Sequence, residues 1–261
     1  MPVILSEAKN FMPKTLTYFV SDVHLGLQVG DPSAREQAFV AFLRGIDPSR
    51  TEALYLLGDI WDFWYEYRDV VPKGYVKVLS ALVSLMEAGV KVCFFQGNHD
   101  IWTYHYFEEL GMTRLKQPYV VKIGAESFCL GHGDGLGPGR TGYKCMRWVF
   151  HNRFFQRCFS SLHPWLAFRM GNGWSRRSRL GKNISYTFKG ASEPLYRFCE
   201  AFPEPVQYFI FGHYHARVDL PVVSASGARP ARLVLLGDWI TAPNWLVYDA
   251  DSGELTACHG R

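Results

Sequence analysis

The chain has 261 residues, 48% hydrophobic and 16% aromatic, with 28 basic and 24 acidic side chains for a net charge of +4. That is ample for a packed core, in one elaborated domain or in two. No apolar stretch reaches the ~20 residues of a membrane-spanning helix, and there is no internal repeat or low-complexity tract.

Residues 1–14 carry Lys9 and Lys14 but no continuous apolar core, so they do not read as a signal peptide and a cytoplasmic location is expected. Leu16–Val20, LTYFV, reads as a strand. Residues 31–43, DPSAREQAFVAFL, read as a helix with Asp31 as N-cap and Pro32 in the first turn. A second strand is expected at 53–57, an amphipathic helix at 75–89 ending on Gly89, and a third strand at 90–95. A short helix is expected around 106–110. Residues 119–130 read as a hairpin turning at Gly124–Ala125. Strands follow at 206–211 and 232–236, then a hairpin over 244–257 with Asp251–Ser252–Gly253 as its turn. The strands are continuously apolar, which predicts a sheet covered on both faces. The C-terminal strands lack intervening helices, so the fold class is α/β with a second sheet or antiparallel edges.

From Gly135 to Ser192 there is no Asp or Glu, but there are eleven Lys and Arg residues. Subtracting these from 28 leaves 17 basic against 24 acidic residues, so the rest of the chain carries −7. A basic, aromatic-rich insert is thus set into an acidic body and should prefer an anionic partner. Trp148, Phe155, Phe159 and Leu162 recur at helical spacing within it, predicting a helical cap with an apolar groove or membrane-contacting face. Clustered bulky apolar residues exceed what base stacking asks for, so no nucleic-acid partner is expected. The six cysteines are scattered with no CxxC, as in a reduced protein without structural zinc.

The strand ends carry the chemistry. SDVHLG supplies Asp22 and His24, GDIWD supplies Asp59 and Asp62, and GNHD supplies Asn98, His99 and Asp100. GHGD supplies His132 and Asp134, and GHYH supplies His213 and His215. In open α/β sheets sites form at the carboxyl ends of strands. Carboxylate, imidazole and amide oxygen without thiolate suit Mn²⁺, Fe or Zn²⁺. Seven candidate ligands (Asp22, His24, Asp59, Asn98, His132, His213 and His215) exceed one tetrahedral shell, so two ions are expected. Asp22 and His24, at alternate positions, are expected to point the same way, and Asp59 is the expected bridge.

D-x-H, G-D, G-N-H-D, G-H and G-H-x-H in this order resemble the calcineurin-like metallophosphoesterase superfamily, from about Ser21 to Trp239. The resemblance implies a two-sheet mixed β-sandwich flanked by helices. It implies one metal on Asp22, His24, Asp59 and His215, and a second on Asp59, Asn98, His132 and His213. His99 would donate a hydrogen bond or proton near the scissile phosphate, and Asp100 would orient the imidazole of His99 or His24. YFVSDVHLGL, YLLGDIWDFWYEY, GNHDIW, HGDGLG and FGHYHARVDL together resemble the UDP-2,3-diacylglucosamine diphosphatase family of the lipid A pathway. That resemblance implies pyrophosphate hydrolysis releasing UMP and 2,3-diacylglucosamine 1-phosphate (lipid X), with Mn²⁺ as the usual metal. It also implies a single domain over 1–261 with a helical lid insertion at about 138–192, in which Tyr143, Arg177 and Lys182 contact substrate. The expected partners are then a lipid-linked nucleotide and the cytoplasmic face of the inner membrane, with no obligate protein partner. Two other readings are a metallophosphoesterase of another nucleotide or phospholipid, and a membrane-associated binding module with an inactive metal site.

Overall fold

The computed structural model describes residues 13–139, 141–180, 187–227 and 230–260; the side chains of 141, 143, 144 and 176–180 are not among those described. Leu16–Val20 (β1), Thr51–Leu56 (β2), Lys91–Phe95 (β3) and Thr113–Leu115 (β4) form parallel pairs. Asn244–Asp249 (β10) and Glu254–His259 (β11) extend that sheet antiparallel, giving the order β11-β10-β1-β2-β3-β4. The second sheet runs β5-β6-β7-β9-β8. Its strands are Tyr119–Ile123 (β5), Glu126–Leu130 (β6), Tyr208–Phe211 (β7), Arg217–Val222 (β8) and Ala231–Leu236 (β9). Two mixed sheets flanked by helices agree with the expected fold class.

The alternation of side chains along a strand explains the three-part core. In β1, Phe19 packs between the sheets with Leu57, Phe95, Phe128 and Tyr248. Its neighbour Val20 points the other way, against the helices Pro32–Gly45 (α1) and Val76–Glu87 (α2). Beyond the second sheet, Phe209, Phe211 and Leu233 pack on Pro194–Glu200 (α7) through Leu195 and Cys199. Both faces of the central strands are covered, which is why they read as unbroken apolar runs. Asp31 caps α1 as expected, accepting from the backbone N–H of Ala34 at 2.9 Å. The strands β4 and β8 carry no strong sequence signal. The former is three residues at an edge, and the latter is an edge strand containing Pro221.

Tyr106–Glu109 forms α3. The insert folds as Thr141–His151 (α4), Arg153–Ser160 (α5) and Pro164–Leu180 (α6). The apolar spacing from Trp148 to Leu162 is therefore not one helix. Asn152 interrupts it, and its side chain accepts from the N–H of Phe154 to start α5. Phe159 faces the body, with its ring 4.9 Å from that of Tyr65 and 5.0 Å from that of Trp102. Trp102 Nε1 donates to the carbonyl of Phe150 at 2.9 Å, and the Tyr65 hydroxyl donates to that of Gln156 at 2.9 Å. The opposite face leaves Trp148, Phe154, Trp165 and Trp174 between 60% and 68% exposed. Among the described residues, no helix is long and apolar enough to cross a membrane.

Candidate metal centre

Asp22 and His24 lie past the end of β1, not on it. Their φ angles are 51° and 50°, in the left-handed region, and Asp59, His213 and His215 are there too at 52°, 69° and 54°. Each such residue costs roughly 1–2 kcal/mol in backbone strain. Among the described residues only one other non-glycine, Tyr75, has a positive φ. Strain gathered on the predicted ligands is what a site imposed by tertiary structure looks like. The expectation that alternate strand positions aim Asp22 and His24 together is thus replaced: the turns do it. The turn after β1 is held by the buried guanidinium of Arg35, which donates to the carbonyls of His24 at 3.0 Å and Leu27 at 3.1 Å. Gly97 is required by space, because a Cβ there would stand 2.1 Å from Oδ1 of Asp59.

Side chains far apart in sequence converge. Nε2 of His24 lies 3.7 Å from Oδ1 of Asp22 and 3.8 Å from Oδ2 of Asp59. Nε2 of His215 is 3.4 Å from Oδ1 of Asp22, and Nε2 of His132 is 3.4 Å from Oδ2 of Asp59. Nε2 of His132 also lies 3.3 Å from Oδ1 of Asn98. Three groups each bring their ligand atoms within 4.8 Å of one another: Asp22–His24–His215, His24–Asp59–His99 and Asp22–Asp59–His132. Asp22, His24 and Asp59 each belong to two of these. His213 belongs to none; its backbone N–H donates to Oδ2 of Asp22 at 3.0 Å, and its ring centre is 5.1 Å from that of His132.

Whether these residues suit cations is decided by where the lone pairs point. Nδ1 of His132 donates to the carbonyl of Leu57 at 2.9 Å, and Nδ1 of His215 donates to Oδ2 of Asp238 at 2.9 Å. Nδ1 of His24 faces Oδ1 of Asp62 at 3.3 Å. With these three Nδ1 atoms so engaged, the Nε2 atoms of His24, His132 and His215 turn lone pairs toward carboxylate or amide oxygens. Among the described residues, none donates a hydrogen bond to the buried Oδ1 of Asp22. Lone pairs facing lone pairs in a buried site repel unless a cation lies between them, so the donor set fits metal ions.

The electrostatics agree. Burial pushes the Asp22 carboxyl up, an effect that His215 and His132 only partly oppose. Burial also acts to raise Asp59, but His132, His99 and His24 outweigh it and hold the carboxyl well below its usual range. For His132, burial opposes protonation, yet Asp59, Asp22 and Asp134 raise the imidazole well above its ordinary value. A place that draws a proton onto a fully buried imidazole draws cations in general. His213 is pushed down to about 3 by burial and by His132, so its imidazole stays neutral, the form that ligates a metal.

Asp100 does not orient an imidazole. Its carboxylate accepts from the backbone N–H groups of Gly97 at 2.7 Å, Asp59 at 3.2 Å, Ile60 at 2.8 Å and Trp61 at 3.3 Å. It ties the turns after β2 and β3 together, with burial and the Asp59 charge pushing its carboxyl up to about 7. The imidazole partner is Asp62, whose Oδ1 is 3.6 Å and whose carbonyl is 3.0 Å from Nδ1 of His99. From α6, Oγ of Ser175 lies 3.4 Å from the same nitrogen. Asp238, in LGDW after β9, carried no sequence signal of its own role. Of the expected lid contacts, the side chains of Tyr143 and Arg177 and the whole of Lys182 lie outside the described residues.

A two-sheet sandwich with carboxylates and imidazoles converging on its strand ends defines a metal-dependent hydrolase. The chain belongs to the calcineurin-like phosphoesterase family, whose family model matches residues 16–217. It is 33% identical over 252 residues to the UDP-2,3-diacylglucosamine hydrolase of Porphyromonas gingivalis, covering 89% of this chain and 93% of that one. It is 32% identical over 246 residues to the enzyme of the same name from Salmonella typhi, covering 92% and 98%.

Proposed function

We propose that this protein hydrolyses the pyrophosphate of UDP-2,3-diacylglucosamine, adding one water to give UMP and 2,3-diacylglucosamine 1-phosphate. The carrying observation is the near end-to-end similarity to hydrolases of that name. The convergence of Asp22, His24, Asp59, His132 and His215 supports it.

Asp22, His24, Asp59 and His215 would hold one divalent ion, and Asp59, Asn98, His132 and His213 a second. Mn²⁺ is the first choice, with Fe or Zn²⁺ as alternatives. Two such ions, when bound, neutralise phosphate oxygens and make water acidic enough to attack near neutral pH. The protein's own part is orientation and proton supply. Asp62 occupies Nδ1 of His99, which leaves Nε2 to donate a hydrogen bond or proton to a phosphate oxygen as the anhydride breaks. Asp100 keeps Gly97 and Asp59 in register, and so holds Asn98 and His99 beside the bridge.

The chain reads as one domain with the lid at about 138–192. The lid's inner aromatics pack on the body, while Trp148, Phe154, Trp165 and Trp174 face outward among Arg153, Arg157 and Arg169. Apolar residues ringed by cations suit acyl chains and an anionic bilayer surface, so we place the protein peripherally on the cytoplasmic face of the inner membrane. Tyr143, Arg177 and Lys182 are the proposed polar contacts.

The test is UMP release by purified, Mn²⁺-loaded protein from UDP-2,3-diacylglucosamine. Turnover of bis-p-nitrophenyl phosphate with none of the lipid nucleotide would make it a phosphodiesterase of another substrate. Stoichiometric metal without hydrolysis of any phosphoester would make it a binding module.

A further inference from the structure

The two metal positions are backed by unlike groups. On the first, both imidazoles lean on carboxylates: His24 on Asp62 at 3.3 Å and His215 on Asp238 at 2.9 Å. On the second, His132 leans on a neutral carbonyl, that of Leu57, and one of the ligands is the neutral amide of Asn98. Asp22, Asp59, Asp62 and Asp238 thus surround the first position. The second shares Asp59 and has Asp22 near His132, while a further carboxylate beside it, Asp134, is bound by Arg147.

Asp238 is built to hold its place. It is buried, and Oδ1 accepts from the backbone N–H groups of Ile240 and Thr241, each at 2.9 Å. Asn244 Nδ2 donates to its carbonyl at 2.8 Å, and the next residue, Trp239, donates its N–H to the carbonyl of Asp22 at 3.0 Å. The loop that carries Asp238 is therefore fastened to Asp22, and Oδ2 is left for His215. A fixed carboxylate on Nδ1 makes Nε2 a better donor and adds charge that a divalent ion feels across the ring.

We propose that Asp238 is a positioning residue that makes the Asp22–His24–His215 position the tighter of the two. Ions then load in sequence, and the position on Asn98 and His132 fills last and exchanges first. The inference rests on the two-ion reading of the site and is independent of which phosphate ester is cleaved.

The experiment titrates chelator-stripped protein with Mn²⁺ and reads the free-ion electron paramagnetic resonance signal. Wild type should bind in two classes of one ion each, at least ~10-fold apart in affinity. Asp238→Asn keeps size and an acceptor but loses charge; it should weaken the tighter class ~10–100-fold and leave the weaker within ~3-fold. Stripped variant and stripped wild type should melt together, which a merely structural role would not predict. Equal classes in wild type, or a variant that weakens both classes alike or only the weaker, overturn the proposal. No binding by wild type at all sinks the two-ion reading with it. A variant-free arm guards against misfolding: substoichiometric Zn²⁺ should shift the ring nitrogen resonances of His24 and His215 before those of His132, and the reverse order overturns the proposal.

Discussion

The guanidinium of Arg147, on α4 of the insert, donates to the carboxylate of Asp134 and, at 3.3 Å, to its backbone carbonyl. Asp134 is buried two residues beyond His132, so this pair joins the helical insert to the wall of the candidate metal centre. Gln117 is the second clamp, donating to Oδ1 of Asp134 at 2.7 Å. Arg147→Met keeps the aliphatic stem and removes the charge. After discounting for the partial exposure of Arg147, the expected loss is about 1–2 kcal/mol of unfolding free energy. Urea denaturation of metal-loaded protein measures it, and limited proteolysis should cut within 141–180 first.

Asp59, like Asp22 and His24, stands in two candidate ligand groups, and as the proposed bridge its loss should empty more than one position. Asp59→Ala is expected to abolish hydrolysis and to lower bound metal below one ion per chain. Elemental analysis of the purified variant checks this; a full metal complement would remove Asp59 from the bridge.

His99 is predicted to act on substrate rather than to hold metal. His99→Ala should retain its ions and slow turnover ~10²-fold or more, as loss of a proton donor does. Steady-state rates alongside metal content decide it, and near-wild-type turnover would withdraw the role.

Gly171 sets two effects against each other. Alanine in a helix is favoured over glycine by about 1 kcal/mol. Here a Cβ would stand 2.4 Å from ring carbons of Phe63, and overpacking of that kind costs about 1–3 kcal/mol. The clash should win, so Gly171→Ala is expected to loosen α6. Hydrogen exchange of α6 amides should quicken in the variant while β2 and β3 stay protected.

His213 gives a pH test in chelator-stripped protein. Its imidazole is held down to about 3 in the folded state, first by burial and then by His132. The unfolded value is about 6.5. Between these, the unfolded chain carries the extra proton, so stability rises with pH; it is complete above 6.5 and drains away as pH falls toward 3. The slope for this group is at most about 1.4 kcal/mol per pH unit. Wild type should therefore lose stability relative to His213→Gln as urea midpoints are taken from pH 7 to pH 4.

Much of this molecule could be read one segment at a time. The continuous apolar runs at β1, β2, β3 and β7 declare doubly covered strands because each contributes side chains to two cores. Asp22, His24, Asp59, Asn98, His132, His213 and His215 stand out as candidate ligands because polar side chains directly after such runs have little other reason to be there. Local pattern has no access to pairings across the chain. Asp238 meets His215 across 23 positions, and Asp100 reaches the N–H of Ile60 across 40. Both are ordinary acidic residues in sequence, and only the packing of two sheets brings their oxygens to those nitrogens. The same holds for the left-handed turns that aim Asp22 and His24, and for Asn152, which divides one apolar periodicity into two helices. Periodicity reports which face of an element is buried; hydrogen-bond partners and backbone strain follow from where separate elements meet, and that was decided by the tertiary structure alone.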